Sequence, residues 1–254
     1  MKPLLSVVIT NYNEKENLER GVLKQMYDYL AKAKYTWEVI INDDGSSDGG
    51  EKLIADYSAK HDGFHLIHGK HGGKAAGLWN ALQKAKGEIV LFTDMDQSTP
   101  LKEVEKLLPW FTKGHDVVFG SRGKMRANFP LTRQITSWGF RFVRGTFLLH
   151  DVVDTQCGFK AMTLESALRI FPMLSVIKDK KKKDAKGWSV SAYDVEMLFL
   201  AEKLGYKLKE VDVVWKNEDT STTKSKNFLS ESTDMLKQIL QVKINDIKGK
   251  YDQK

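Results

Sequence analysis

The chain of 254 residues is long enough for one large domain or two small ones with a substantial core, which excludes a disulfide-stapled mini-protein. Hydrophobic residues at 41% and charged residues at 29% exclude wholesale disorder and a collagen or coiled-coil rod. Lys and Arg number 40 against 33 for Asp and Glu, and the resulting +7 favours an anionic partner: a nucleotide, a phosphorylated lipid, a membrane surface or a nucleic acid.

MKPLLSVVIT opens the chain with an apolar run too short for a signal peptide, and no later window approaches 18 uncharged apolar residues, so no spanning helix is expected. Strands are predicted at LSVVIT (5–10), WEVIIND (37–43), FHLIH (64–68), EIVLFTD (88–94) and DVVFGS (116–121). Helical patterns fill 14–34, 48–61, 73–86 and 101–113 between them, with Pro100 placed as an N1 proline for the last. This alternation is the rhythm of an α/β sheet with helices between its strands. The second half is less regular: a helical stretch near 130–149, then DTQCGFKAMT, a helix from about 164, the lysine-rich KDKKKKDAK, a helix over 193–204 and a strand at 207–215. Residues 228–249 read as an amphipathic helix. Cys157 is the only cysteine, which excludes an internal disulfide and fits a reducing compartment.

Carboxylates gather where strands end: Asp43 and Asp44 after WEVIIN, Asp94 and Asp96 after EIVLF. Ligands of open α/β sheets sit outside the carboxyl ends of strands, so these residues suggest one site. On an extended chain Asp94 and Asp96 would point the same way, a pair suited to a divalent cation that completes its shell with water and phosphate oxygens. Short acidic triplets also mark ordinary turns, and Asp43-Asp44-Gly45-Ser46-Ser47-Asp48 reads equally as a turn and helix cap. His71, Gly72, Gly73 and Lys74 precede a helix, where backbone donors and a cation could face a diphosphate. Neither GxGxxG after the first strand nor GxxxxGK[ST] occurs, which removes the main support for dehydrogenase and P-loop readings.

SVVITNYNE, INDDGSSDGG, HGGKAAGLWNAL, DMDQSTP, VVFGSR, DTQCGFK and YDVEML occur in that order, and in this the chain resembles the family 2 glycosyltransferases of the GT-A fold, over about residues 4–245. The glucosyl branch, dolichyl-phosphate (polyprenyl-phosphate) β-glucosyltransferases beside their mannosyl relatives, is indicated by DTQCGFK followed by GWSVSAYDVEML and EVDVVW. The resemblance implies an α/β fold, a single Rossmann-like domain with a mostly parallel central sheet flanked by helices, with a nucleotide-sugar half at 1–120, an acceptor half at 121–227 and the amphipathic helix at 228–249. It implies that Tyr12, Asn13 and Glu14 line the nucleotide pocket and that Asp43 or, preferentially, Asp44 contacts the base. Lys74 would approach the ribose-diphosphate, Asp94 the sugar or ribose, and Asp96 a Mg2+ or Mn2+ ion, with Gln97 and Ser98 close by. Arg122 would face the sugar or acceptor phosphate, making Asp94, Asp96 and Arg122 the catalytic set. Asp154, Gln156 and Gly158 match the acceptor-side motif, and Asp194 and Glu196 match a helix start in relatives. Two departures stand out: no membrane-spanning helix of the kind that usually opens eukaryotic glucosyl relatives, and a stretched spacing from Trp215 to Lys224 and Lys226. Both fit a bacterial-type enzyme resting on the cytoplasmic leaflet.

The expected reaction is inverting transfer of a hexose, with UDP-glucose as donor and a polyprenyl phosphate as acceptor. A lipid phosphate is largely dianionic at pH 7 and needs no catalytic base; Arg122, Arg126 and Arg133 are the candidates to grip it, because arginine binds two phosphate oxygens at once. The alternative is transfer to a sugar hydroxyl of a cell-wall or capsule polysaccharide, which does require a base, and Glu218 and Asp219 are the candidates. A nucleic-acid-binding role finds no motif to support it. Peripheral contact with an anionic membrane is expected through Phe228, Leu229, Met235, Leu236, Ile239, Leu240 and Ile247 with Lys237, Lys243, Lys248 and Lys250, and through the aromatics of 130–149, Trp138, Phe140, Phe142 and Phe147. The lysine run of 178–186 reads as a solvated loop or a further membrane contact.

Overall fold

The computed structural model describes residues 4–122, 152–178, 193–216, 218, 237 and 240–252. Arg126, Arg133 and Asp219, the 130–149 stretch, most of the lysine run, Lys224, Lys226 and the 228–236 part of the amphipathic helix lie outside the described residues.

Among the described residues seven strands form one sheet: β1 (Leu5–Asn11), β2 (Trp37–Asp43), β3 (Phe64–His68), β4 (Ile89–Phe92), β5 (Val117–Ser121), β6 (Lys160–Thr163) and β7 (Leu208–Asp212), in the order β3-β2-β1-β4-β6-β5-β7. β1 pairs parallel with β2 and β4, β2 with β3, and β5 with β7. Among these described strands β6 alone runs backwards, antiparallel to both β4 and β5. The expected mostly parallel sheet is therefore present, and β6 is the strand that local sequence pattern does not reveal. Because β6 is reversed, its entrance lies where its neighbours end, and residues 154–159 are delivered to the carboxyl edge of the sheet.

The helices are α1 (Lys15–Glu19), α2 (Val22–Leu30), α3 (Gly50–Ser58), α4 (Lys74–Leu82), α5 (Val104–Phe111), α6 (Leu164–Ile170), α7 (Ser175–Lys178) and α8 (Tyr193–Lys203), followed by a helical segment over 240–247. The single helix expected over 14–34 is broken at Gly21, whose φ of 85° is left-handed and ends α1 before α2 begins. Pro100 is extended (ψ 138°) and precedes a 3-10 turn, Leu101–Glu103, that leads into α5, so it caps the element rather than occupying its first position.

Every residue of β1 is buried, as expected of a central strand covered on both faces. Leu5, Val7 and Ile9 pack with α1, α2, α3 and α5, whereas Val8 turns to the opposite layer with α4, α6, α8, Val242 and Tyr251. α4 approaches closely at Gly77, where a Cβ would lie 2.5 Å from Thr10 Cγ2. Strand order reverses at β1, with β2 and β3 on one side and β4 on the other, which opens a crevice at the carboxyl ends of β1 and β4.

Candidate active site

The loop after β1 is locked to the loop after β2. Asn13 has a left-handed backbone (φ 53°), accepts from Ser47 N at 2.8 Å through its side chain and donates its own N–H to Ser46 Oγ at 3.0 Å. Glu14, almost buried, accepts from Asn17 Nδ2 at 2.6 Å at the start of α1. Asp43 takes four donors: Asn11 Nδ2 and Ser46 Oγ on Oδ1 (2.7 and 2.6 Å), and the Gly45 and Ser46 N–H groups on Oδ2 (3.1 and 2.9 Å). It is thus the organiser of the turn.

Asp44 is fully buried and accepts from Gly72 N at 2.9 Å and Gly73 N at 2.8 Å. Those two N–H groups, expected to face a diphosphate, face Asp44 instead, which is a correction with a plain cause: a buried carboxylate needs donors and they are the nearest. Burial pushes the Asp44 carboxyl up, against the lowering effect of both N–H groups and of His71, whose Nδ1 lies 3.0 Å from Asp44 Oδ2. Held there, the His71 ring stacks on Tyr12 with centroids 4.4 Å apart, forming an aromatic platform at the crevice. Sequence reading missed this stack, since nothing in either local pattern links the two rings.

β4 ends at Phe92, and the chain then turns rather than continuing extended: Gln97 N donates to Asp94 O at 3.2 Å and Gln97 is left-handed at φ 52°. The DMD segment is therefore a turn, contrary to the extended-strand expectation. Asp94 remains 42% exposed at its side chain and pairs with Lys74 Nζ at 2.5 Å. Burial works against the Lys74 ammonium, but Asp94, Tyr193 and Asp194 outweigh it and hold its pKa well above the usual value. Asp96 is nearly buried, accepts from Ser98 N at 2.9 Å, and its carbonyl receives Arg20 Nη2 at 2.6 Å. Arg20 also pairs with Glu218 at 3.0 Å, so Glu218 stands beside the DMD loop with its carboxylate engaged by a cation. Arg20, Glu218, Asp96 and Ser98 share a cavity of about 410 Å³.

Opposite, Arg122 follows β5 and its fork is committed to Asp154: Nε to Oδ2 at 2.7 Å and Nη2 to Oδ1 at 2.9 Å. Burial works to lower the Arg122 pKa, yet the hydrogen bond and charge of Asp154 outweigh it and hold the pKa above its ordinary value, with smaller contributions from Cys157 and Asp94. Trp215 covers the guanidinium, 5.7 Å from its ring centroid. Glu210 on β7 holds the backbone of the Asp154 loop, accepting from Val153 N (2.7 Å) and Asp154 N (2.8 Å). Gln156 donates its N–H to Asp154 Oδ1 at 3.1 Å. Gly158 presses on Asp94, where a Cβ would sit 2.1 Å from Oδ2. Lys160 is buried, donates to Cys157 O and pairs with Asp194 at 2.5 Å, tying β6 to the first turn of α8. Glu196, in the same turn, faces Ser175 and Tyr251 rather than this crevice.

The structure brings Tyr12, Lys74, Asp94, Asp96, Arg122, Asp154, Gly158 and Asp194 to one edge of the sheet; Asn13, Glu14, Asp43 and Asp44 shape its rim from within. Among the described residues no group of three or more His, Cys, Asp and Glu forms a metal cage. Asp94 and Asp96 supply hard oxygens at the crevice, which fits a cation of the Mg2+ or Mn2+ kind that draws its remaining ligands from a diphosphate and water.

An open, mostly parallel sheet with cations and carboxylates at the β1/β4 crevice is the arrangement that the GT-A glycosyltransferase expectation requires. The family model for glycosyl transferase family 2 matches residues 6–171, and the chain belongs to that family. It is 31% identical to the dolichyl-phosphate beta-glucosyltransferase of Dictyostelium discoideum, over 96% of this chain and 75% of that protein. The dolichyl-phosphate beta-glucosyltransferase of Homo sapiens is also 31% identical, over 83% of this chain and 67% of its own length. Among solved structures, a mannosyltransferase from Pyrobaculum calidifontis in complex with GDP-Man and Mn2+ superimposes with a TM-score of 0.63 at 18% identity, over 97% of this chain and 65% of that one. Glucosyl-3-phosphoglycerate synthase from Mycobacterium tuberculosis, solved with Mn2+, uridine-diphosphate and product, gives 0.61 at 20% identity, over 94% of this chain and 80% of that one. At these identities the structures speak for the fold.

Proposed function

We propose that the enzyme moves glucose from UDP-glucose to a polyprenyl phosphate, with inversion, on the cytoplasmic face of a membrane. The likeness to dolichyl-phosphate beta-glucosyltransferases over 96% of the chain carries this reading. Tyr12 and His71 offer an aromatic face for the nucleotide, and Lys74, kept charged by Asp94, stands at the first position of α4 as the cation for its diphosphate. Asp96, with Asp94, would hold Mg2+ or Mn2+, which when bound neutralises charge on the departing diphosphate. Arg122, fixed in place by Asp154 and capped by Trp215, presents positive charge to the acceptor phosphate while its fork stays on Asp154. The phosphate is its own nucleophile, since its second ionisation near pH 6 is complete enough at pH 7. The chain's task is then alignment of acceptor oxygen, anomeric carbon and leaving group. A hydroxyl acceptor would need a base, and the carboxylate of Glu218, the candidate among the described residues, is engaged by Arg20.

The test is a panel of UDP- and GDP-linked glucose and mannose, each offered with polyprenyl phosphate and with the corresponding polyprenol. UDP-glucose with the phosphate should give product and the alcohol none. Preferred use of a GDP donor, or transfer to the alcohol alone, would overturn the reading.

A further inference from the structure

The helical segment over 240–247 has two faces with different fates. Its inner face is bolted to the domain. Val242 and Asn245 are buried, Asn245 Nδ2 donates to Ser175 Oγ at 3.1 Å, and Tyr251, just beyond, donates its hydroxyl to Glu196 Oε1 at 2.6 Å. Ser175 donates its own hydroxyl to the same Glu196 oxygen at 2.6 Å, so one buried carboxylate gathers α7, α8 and the C-terminal segment. The outer face carries Leu240, Ile244 and Ile247, 47%, 42% and 76% exposed, at spacings of four and three that place them on one stripe. Val176 on the adjoining α7 is exposed as well.

Asp246 and Asp252 both pair with Lys203 Nζ, at 2.6 and 2.8 Å, and Asp246 also lies 3.5 Å from Lys243 Nζ. Lys248 and Lys250 are exposed at the end of the segment, so positive charge stands beside the apolar stripe. An exposed apolar line with a basic border is the pattern of a helix that lies in the headgroup region of an anionic bilayer.

We propose that residues 240–252 form a membrane clamp: Leu240, Ile244 and Ile247 enter the interface of an anionic bilayer, the rim lysines meet its headgroups, and the Glu196 network transmits the anchorage to α8. The inference rests on the lipid-phosphate reading for its purpose, and it states which surface meets the lipid. α8 carries Tyr193 and Asp194 in the same first turn as Glu196, and Asp194 pairs with Lys160, so the clamp fixes the acceptor side of the crevice at a set position relative to the bilayer. A molecule of the acceptor diffusing in that bilayer then meets the site in two dimensions.

The experiment is co-sedimentation of the full chain with phosphatidylcholine vesicles, with and without phosphatidylglycerol, at low and high salt, in the absence of donor and acceptor. Wild type should sediment with the anionic vesicles and be released by salt. Ile244→Gln/Ile247→Gln should bind roughly tenfold more weakly or worse, with thermal unfolding near wild type because Ile247 is largely exposed and Ile244 nearly half exposed. Lys248→Gln/Lys250→Gln should lose the preference for phosphatidylglycerol. Wild type left in the supernatant, or isoleucine variants that sediment like wild type, would overturn the clamp. So would a concentration-dependent dimer that the isoleucine variants dissociate without any change in vesicle binding. Transfer to polyprenyl phosphate in detergent separates the two ideas: it should persist in the isoleucine variants, and its failure in wild type strikes the proposed reaction alone.

Discussion

Gly158→Ala is a small change with a large expected effect. Gly158 does not have the positive φ that alanine resists, so the substitution tests space alone. The added methyl would lie 2.1 Å from Asp94 Oδ2 and 2.9 Å from its Cγ, and ordinary contact begins at 3.4 Å, so something must retreat by roughly 1.3 Å. Two responses compete. If the backbone of 157–159 shifts, the cost is overpacking, about 1–3 kcal/mol, or about 2–4 °C in Tm for each kcal/mol. If Asp94 swings outward, the fold is spared and its pairing with Lys74 is lost. Asp94 is 42% exposed at its side chain while Cys157 and Phe159 are buried, so the carboxylate is the part that yields. Displacement of about 1 Å at reacting groups costs on the order of a hundredfold in rate. Initial rates of glucose transfer should therefore fall about a hundredfold in Gly158→Ala, with Tm close to wild type. A variant with wild-type rate and wild-type Tm would refute the close packing of Gly158 on Asp94 as a determinant of the site.

Four further outcomes are expected. Asp96→Asn keeps an acceptor for Ser98 N but loses the charge, and transfer should drop about a hundredfold or more, as it should for wild type in chelator until Mg2+ or Mn2+ is restored; unaffected rates in either case would remove Asp96 from metal binding. Arg122→Lys keeps a cation but gives up the two-point contact with Asp154, so transfer should fall about tenfold or more while calorimetric UDP affinity persists, and an unchanged rate would show that the geometry of Arg122 is dispensable. Lys160→Met leaves Asp194 without its buried partner and should cost about 3 kcal/mol in denaturant unfolding, the lower end for a broken buried pair because Asp194 is partly exposed; a cost below about 1 kcal/mol would contradict the pairing. Burial opposes ionisation of Glu103, but hydrogen bonds from Lys106 and Val214 N hold its carboxyl below the usual range, so its stabilising contribution is present above about pH 4.3 and lost as pH falls further. The Tm gap between wild type and Glu103→Gln should accordingly close on acidification, and a gap that stays constant would be the wrong sign.

Much of the fold is legible in the sequence because β1 to β5 and their helices announce themselves by alternation. β6 is not, because a four-residue strand containing Lys160 reads as a loop until Asp194, 34 positions on, supplies the partner that lets a lysine be buried. The single helix expected over 14–34 divides because Gly21 adopts a conformation that periodicity does not encode. At the site, residue types were legible and their partners were not. Asp44 claims the Gly72 and Gly73 donors, Asp154 claims the Arg122 fork, and Arg20, which reads as a surface charge on a helix, reaches the Asp96 carbonyl. Each pairing joins segments far apart in the chain. Local patterns carry no record of such contacts, whereas the ordered series of seven motifs does carry the family.

The central claim is inverting transfer of glucose to a lipid phosphate, and the product itself decides it. UDP-glucose carries an α-linked sugar, so the purified enzyme with polyprenyl phosphate and Mn2+ should release a polyprenyl phosphate glucose whose anomeric proton and carbon signals in NMR are those of the β-linkage. An α-linked product, or free glucose with the lipid phosphate left unmodified, would contradict it.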